Sequence, residues 1–153
     1  MNKMGRVRQG IYTLLKTAHP RIWFQRAPKN AQFPYVTFDL PNSYDDGSVE
    51  SFVLDVDGWD MPANGDSTDL ETMMGAVDGA LNGAVVTSEY VLYGLTMNGF
   101  FAPAQPYSVG GLSVLKDLTL RILLDNRLAP QEDDPKIMRR TYVYQVKVFE
   151  RRE

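Results

Sequence analysis

Asp55-Val56-Asp57-Gly58-Trp59-Asp60 is the stretch of this chain that most nearly spells a chemical site. Alternate aspartates followed by glycine suggest a calcium loop. The EF-hand spacing, however, places the glycine sixth and a glutamate twelfth. Here the glycine comes two places early, and Asp66 stands where the glutamate belongs. Phe52, Leu54 and Val56 alternate with Val53, Asp55 and Asp57. That period of two predicts a strand with one buried and one wet face, the aspartates lying on the wet one. A metal-dependent enzyme built on this acidic block is the remote alternative. Its sign is a metal-stimulated activity lost in Asp55→Ala or Asp57→Ala.

Other chemistries find less. The one histidine, His19, precedes Pro20 at the expected end of a helix, where the helix dipole favours a positive charge. With no cysteine there is no disulfide, thiolate metal site or thiol nucleophile. No nucleophile elbow occurs. Val109-Gly110-Gly111 precedes Lys116 without the spacing of a phosphate-binding loop, and a strand is expected where a helix is needed. Paired carboxylates for glycoside chemistry are not singled out among the many acids. No catalytic residue, metal or cofactor is assigned.

Charge is the stronger signal. Residues 1–29 hold seven bases and no acid, residues 30–115 hold twelve acids and no base, and residues 116–153 hold nine bases and seven acids. The net charge of −3 conceals this division. Such asymmetry speaks to partners and assembly rather than to fold. Arg6 and Arg8 near the start, with Arg139, Arg140, Arg151 and Arg152 near the end, form a candidate basic patch for nucleic acid or a neighbouring subunit. The acidic middle would repel DNA.

The elements that position these residues follow from periodicity. Met4, Val7, Ile11, Leu14 and Leu15 predict an amphipathic helix over about residues 2–18, ended by His19-Pro20. Residues 21–25 form a short strand. Pro34–Leu40 and Val49–Trp59 are strands of a hairpin joined by turn residues Pro41–Gly47. Thr68 and Glu71 have the spacing of a capping box for a helix carrying Leu70, Met73, Met74, Val77 and Leu81 inward, with Gly83 as its left-handed stop. Tyr90–Met97, Leu112–Leu124 and Arg140–Glu150 are further strands. Asn98–Gly111 is expected to be a loop, and Asn126–Lys136 an exposed polar stretch. No apolar run approaches the ~18 residues of a membrane span. The order predicts one α+β domain over residues 1–153, a mainly antiparallel sheet of about five strands with two helices on one face.

Three segments resemble a known family. They are the N-terminal helix leading into RIWFQRAPKNAQFPYVTFDLP, then FVLDVDGWD followed by LETMMGAVDGALNG, and the final strand YVYQVKVFE. In this order, over residues 1–83 and 112–150, they are similar to the tail terminator (tail completion, head–tail joining) proteins of long-tailed bacteriophages. The resemblance implies a non-enzymatic, cofactor-free virion protein at the tail–neck junction, assembled in the host cytoplasm. It would form a homo-oligomeric ring, commonly a hexamer, capping the tail tube and meeting the head-side connector or stopper protein. DNA passes through the lumen without specific binding. A head-side stopper or adaptor of the neck is the close alternative, and a host-directed binding module a more distant one. On this reading Arg6, Arg8, Arg139 and Arg140 are candidate interface residues, and Asp45 and Asp46 are expected to face the lumen. Phe100, Phe101 and Tyr107, costly to leave exposed, are expected to contact a neighbour.

Overall fold

The computed structural model describes residues 2–45, 49–93, 95–97, 100–102, 108–128, 131–134 and 136–150, with backbone alone for 93–102 and 131–134. Helix α1 spans Lys3–Ala18 and helix α2 Thr68–Leu81. The strands are β1 Ile22–Phe24, β2 Tyr35–Asp45, β3 Glu50–Asp60, β4 Ala84–Val86, β5 Val91–Tyr93, β6 Leu95–Met97, β7 Phe100–Ala102, β8 Leu118–Arg127, β9 Gln131–Asp134 and β10 Ile137–Glu150. An eight-stranded sheet runs β1-β2-β3-β10-β8-β4-β5, with β9 also pairing β10, while β6 and β7 form a separate two-stranded sheet. Among the described residues only the β1–β2 pair is parallel. The α+β architecture is as the sequence predicts, with more strands than the expected five.

The core lies between the helices and one sheet face. Val7, Ile11, Leu14 and Leu15 of α1 and Leu70, Met74, Val77 and Leu81 of α2 are fully enclosed. They meet Val36 and Phe38 of β2, Phe52, Leu54 and Val56 of β3, Tyr144 and Val146 of β10, and Leu120 and Ile122 of β8, all in one cluster. The period-two alternation on β3 therefore holds, and its even-numbered side chains point to the helices. Gly58 continues that inward face, where a Cβ would stand 2.5 Å from Met74 Sδ. Its lack of a side chain lets α2 lie close against β3. Gly83 follows α2 with φ +81°, the left-handed stop expected there.

Several expectations need correction. The Thr68–Glu71 capping box does not form. The N-cap is Ser67, whose side chain makes no cap hydrogen bond. Instead Asp66 Oδ1 accepts from the Thr68 amide (2.9 Å) and hydroxyl (2.6 Å), and Glu71 is drawn to Arg140 at 2.6 Å. A charged partner across the helix–sheet interface outcompetes the neutral amide at the helix start. Pro41–Asp45 is strand rather than turn: the ladder shifts register between Asp39 and Asn42, a bulge that accommodates the proline's missing donor. Leu112–Leu115 is a 3-10 turn, and the strand starts only at Leu118. Within the expected loop Asn98–Gly111, Phe100–Ala102 pairs with β6. Within the expected polar stretch Asn126–Lys136, β8 continues to Arg127, and β9 pairs with β10.

Gly58→Ala tests the close approach of α2 to the sheet. Met74 is fully buried, so it can yield to the new methyl only by displacing its neighbours. The substitution is expected to cost about 1–3 kcal/mol. Urea unfolding should show a lower midpoint at an unchanged slope; an unchanged midpoint would contradict the packing.

Candidate functional site: the open face of the sheet

The helices cover one face of the sheet, and the odd-numbered side chains of β3 point to the other. Cross-strand registry sets these side chains in rows. Tyr35, Trp59 and Arg139 share the first row. Trp23 meets Tyr35 edge-on at 5.6 Å, Tyr35 stacks on Trp59 at 6.3 Å, and the Arg139 guanidinium lies 5.1 Å over the Trp59 ring. Trp59 Nε1 donates to Thr37 Oγ1 at 3.0 Å. The second row is Thr37, Asp57 and Thr141, in which the Thr141 hydroxyl donates to the Asp57 carboxylate. The third row sets Asp39 directly opposite Asp55, with Val143 beyond.

Three carboxylates thus crowd one half of this face. Burial pushes the Asp55 carboxyl above the usual carboxylate range, reinforced by the charges of Asp57 and Asp39. Burial also raises Asp57, opposed by the Thr141 hydroxyl and by Arg139. The other half is basic. Lys147 of β10 lies opposite Arg121 of β8, both exposed. Val53, Val143, Leu123 and Phe149 supply apolar surface, the last two 41% and 40% exposed.

The basic residues singled out in the sequence do not form one patch. Arg6 donates through Nε to the Val114 carbonyl (2.8 Å) and through its guanidinium to the Lys116 carbonyl, tying α1 to the 3-10 turn. Arg8 lies 4.8 Å over the Phe24 ring at the sheet edge. Arg139 is on the open face, whereas Arg140 pairs with Glu71 on the helix side. Asp45 sits exposed at the end of β2. Asp46 and Tyr107 lie outside the described residues, as do Arg151 and Arg152, and the side chains of Phe100 and Phe101 do too.

Folding also answers much of the charge division. Lys3 reaches Glu50 (3.3 Å) and Glu150 (3.1 Å), Arg127 reaches Asp78 (3.2 Å), and Arg140 reaches Glu71. Bases from both chain ends therefore fold back on the acidic middle. Asp78 also accepts from the Tyr144 hydroxyl at 2.7 Å. Burial, followed by the Asp78 carboxylate, raises that phenol far above its ordinary value. His19 Nε2 lies 3.1 Å from the Pro34 carbonyl oxygen, and burial lowers its pKa. The sequence could not show which acids would stay uncompensated, because that depends on β10 entering between β3 and β8.

Among the described residues no group of three or more His, Cys, Asp or Glu is placed to hold a metal ion. The Asp55-to-Asp60 segment is a straight strand, with Asp60 turned inward and 6% exposed. Clefts of about 370 and 410 Å³ open beside Lys116 and between α1 and β1. The first is lined by polar and charged residues, among them Ser88, Glu89 and Asp117, and the second mainly by Tyr12, Ile22, Trp23, Phe24 and Phe38. No described helix is long and apolar enough to cross a membrane.

No protein-family model matches the chain, and no curated protein does. Solved structures share its fold. A chain of the virion of a native gene transfer agent particle superposes with a TM-score of 0.60 over 95% of this chain and 96% of its own, at 13% identity. A second solved chain, bearing no functional name, superposes with a TM-score of 0.56 over the whole of both chains, at 14% identity. The fold is therefore one that a gene transfer agent virion also contains.

The Asp39–Asp55 juxtaposition makes a testable cost. Like charges directly opposite in a sheet destabilise it, by about 0.2–1 kcal/mol. Because its native pKa is raised, Asp55 holds its proton more tightly folded than unfolded. Its contribution is most favourable below the ordinary carboxylate range and is lost as pH rises through the native value. Asp55→Asn should raise the melting temperature at pH 7, and the gain should vanish in acid. A gain that persists or grows in acid would contradict the assignment.

Proposed function

We propose that this chain is a structural virion protein of the phage type. In our reading it forms a homo-oligomeric ring, a hexamer, that terminates the tail tube and joins it to the head-side connector while DNA passes through the lumen. The observation that carries the reading is the end-to-end correspondence of fold with a chain of a gene transfer agent virion. The resemblance of residues 1–83 and 112–150 to tail terminators leads independently to the same class. One feature suits a subunit that is completed by neighbours: β6 and β7 pair with each other as a sheet separate from the main one. A ring of this kind uses heterologous contacts, each subunit offering different surfaces to its two neighbours.

In this role the protein does no covalent chemistry. Its work is to present one surface to the tube, another to the connector, and a wall that DNA slides past. Asp45, exposed at the end of β2, and Asp46, next to it in sequence, are proposed for that wall, since carboxylates repel the phosphate backbone. Phe100, Phe101 and Tyr107 are proposed for neighbour contacts.

The partner distinguishes a terminator from a head-side stopper. Co-purification from cells expressing the tail and neck proteins should recover the tail-tube protein, and recovery of the portal-side connector alone would favour the stopper. Filter binding at low salt should show no tight retention of duplex DNA by the assembled protein. Asp45→Lys with Asp46→Lys should raise retention about tenfold or more, and this gain should be lost with added salt. Tight DNA binding by the unaltered assembly would refute the lumen assignment.

A further inference from the structure

The open face of the sheet divides its own charge. Asp39 and Asp55 lie on β2 and β3 at the level of Val143, and Asp57 lies one row on, at the level of Thr141. Arg121 and Lys147 lie on β8 and β10 at the level of Ser51, diagonally across the face. Among the described residues the side chains of Asp55, Arg121 and Lys147 make no hydrogen bond or ion pair within the subunit. Each half also holds like charges side by side: Asp39 opposite Asp55, and Arg121 opposite Lys147. Such pairs weaken an isolated sheet. Between and beside them lie Val53, Val143, Leu123 and Phe149, the last two among the exposed large hydrophobic residues of the subunit.

We infer that this face is a self-association surface, on which two copies of the chain pair face to face. The occupant is set by the charge pattern. A face of one sign would call for an unlike partner, but this one carries its own complement. Consider a two-fold axis parallel to the sheet plane, at right angles to the line from the acids to the bases. It turns one copy so that its acids lie over the other's bases, and the same contact recurs at the opposite end. This is an isologous interface, in which the same patch serves both subunits. The apolar side chains between the charge groups meet across the contact as in packed sheets. Charge fixes the orientation, because any axis that brings acids over acids is disfavoured. The inference concerns the sheet face alone and does not depend on the ring, whose heterologous contacts use other surfaces.

Charge exchange tests it, using the full chain in sedimentation equilibrium at low ionic strength. The unaltered protein should show a reversible association between monomer and dimer, or between larger assemblies built through this contact. Asp39→Lys with Asp55→Lys should raise its dissociation constant about tenfold or more, and Arg121→Glu with Lys147→Glu should do the same. Mixing the two doubly reversed proteins should restore association, since each then supplies the charge the other lacks. Asp39→Asn with Asp55→Asn, a gentler change, should give a smaller loss and guards against a folding defect in the reversed protein; circular dichroism checks each variant. A chain monomeric at every concentration overturns the inference. So does association indifferent to both reversals, or reversed proteins that stay apart on mixing. Failure of the inference leaves the tail-terminator reading intact, because the ring's contacts use other surfaces and that reading is tested separately by recovery of the tail-tube protein.

Discussion

The pairing of β10 between β3 and β8 is the constraint on which the rest of the structure depends. Ile137–Glu150 is the longest strand, and it is bonded along its length to β3 on one side and largely to β8 on the other. The last strand in the chain thus holds the middle of the sheet. Tyr144 and Val146 on one side of it complete the core beneath the helices. Arg139, Thr141 and Val143 on its other side complete the rows of the open face. Loss of this strand would cut the sheet in two, exposing the edges of β3 and β8 together with the helix-facing core.

The same pairing governs the electrostatics. Along the chain, bases and acids are segregated. In the fold, β10 carries Arg140 to Glu71 on α2, and β8 carries Arg127 to Asp78. These contacts are partly solvent-exposed, so each adds little stability and chiefly fixes how α2 sits. Tyr144, fully buried and bonded to Asp78, anchors the same helix from below. On the open face the charges are not compensated in this way: Asp55 has acids for neighbours and Lys147 has Arg121.

Much of the fold was legible because burial writes itself as periodicity. The stripe Val7-Ile11-Leu14-Leu15, the alternation Phe52-Leu54-Val56 and the run Tyr142-Tyr144-Val146-Val148 each lie where their period places them. What was not legible depends on partners distant in sequence. Proline 41 signals a turn locally, yet pairing with β3 carries the strand past it as a bulge. Glu71 has the spacing of a capping residue, yet Arg140, far along the chain, claims it. β9 is polar and shows no alternation, since it is a strand only through its pairing with β10. At the candidate site, the wet position of Asp55 and Asp57 was readable from β3 alone. The opposition of Asp39 to Asp55, and the aromatic row ending in Arg139, required the register. Arg139 and Arg140, adjacent on β10, face opposite sides of the sheet, while Arg6 and Arg8, two apart on α1, leave the helix on different sides.

A subunit built this way has a sound core on one side of its sheet and a polarised, partly apolar surface on the other. The proposed role at the tail end builds on such a subunit, and the fold itself is shared with a chain of a gene transfer agent virion. Negative-stain imaging of the purified protein mixed with the tail tubes it is proposed to terminate tests the central claim most directly. The account predicts rings seated at the ends of the tubes, one per completed end and absent from their sides. Tubes whose ends stay bare at saturating protein would contradict it.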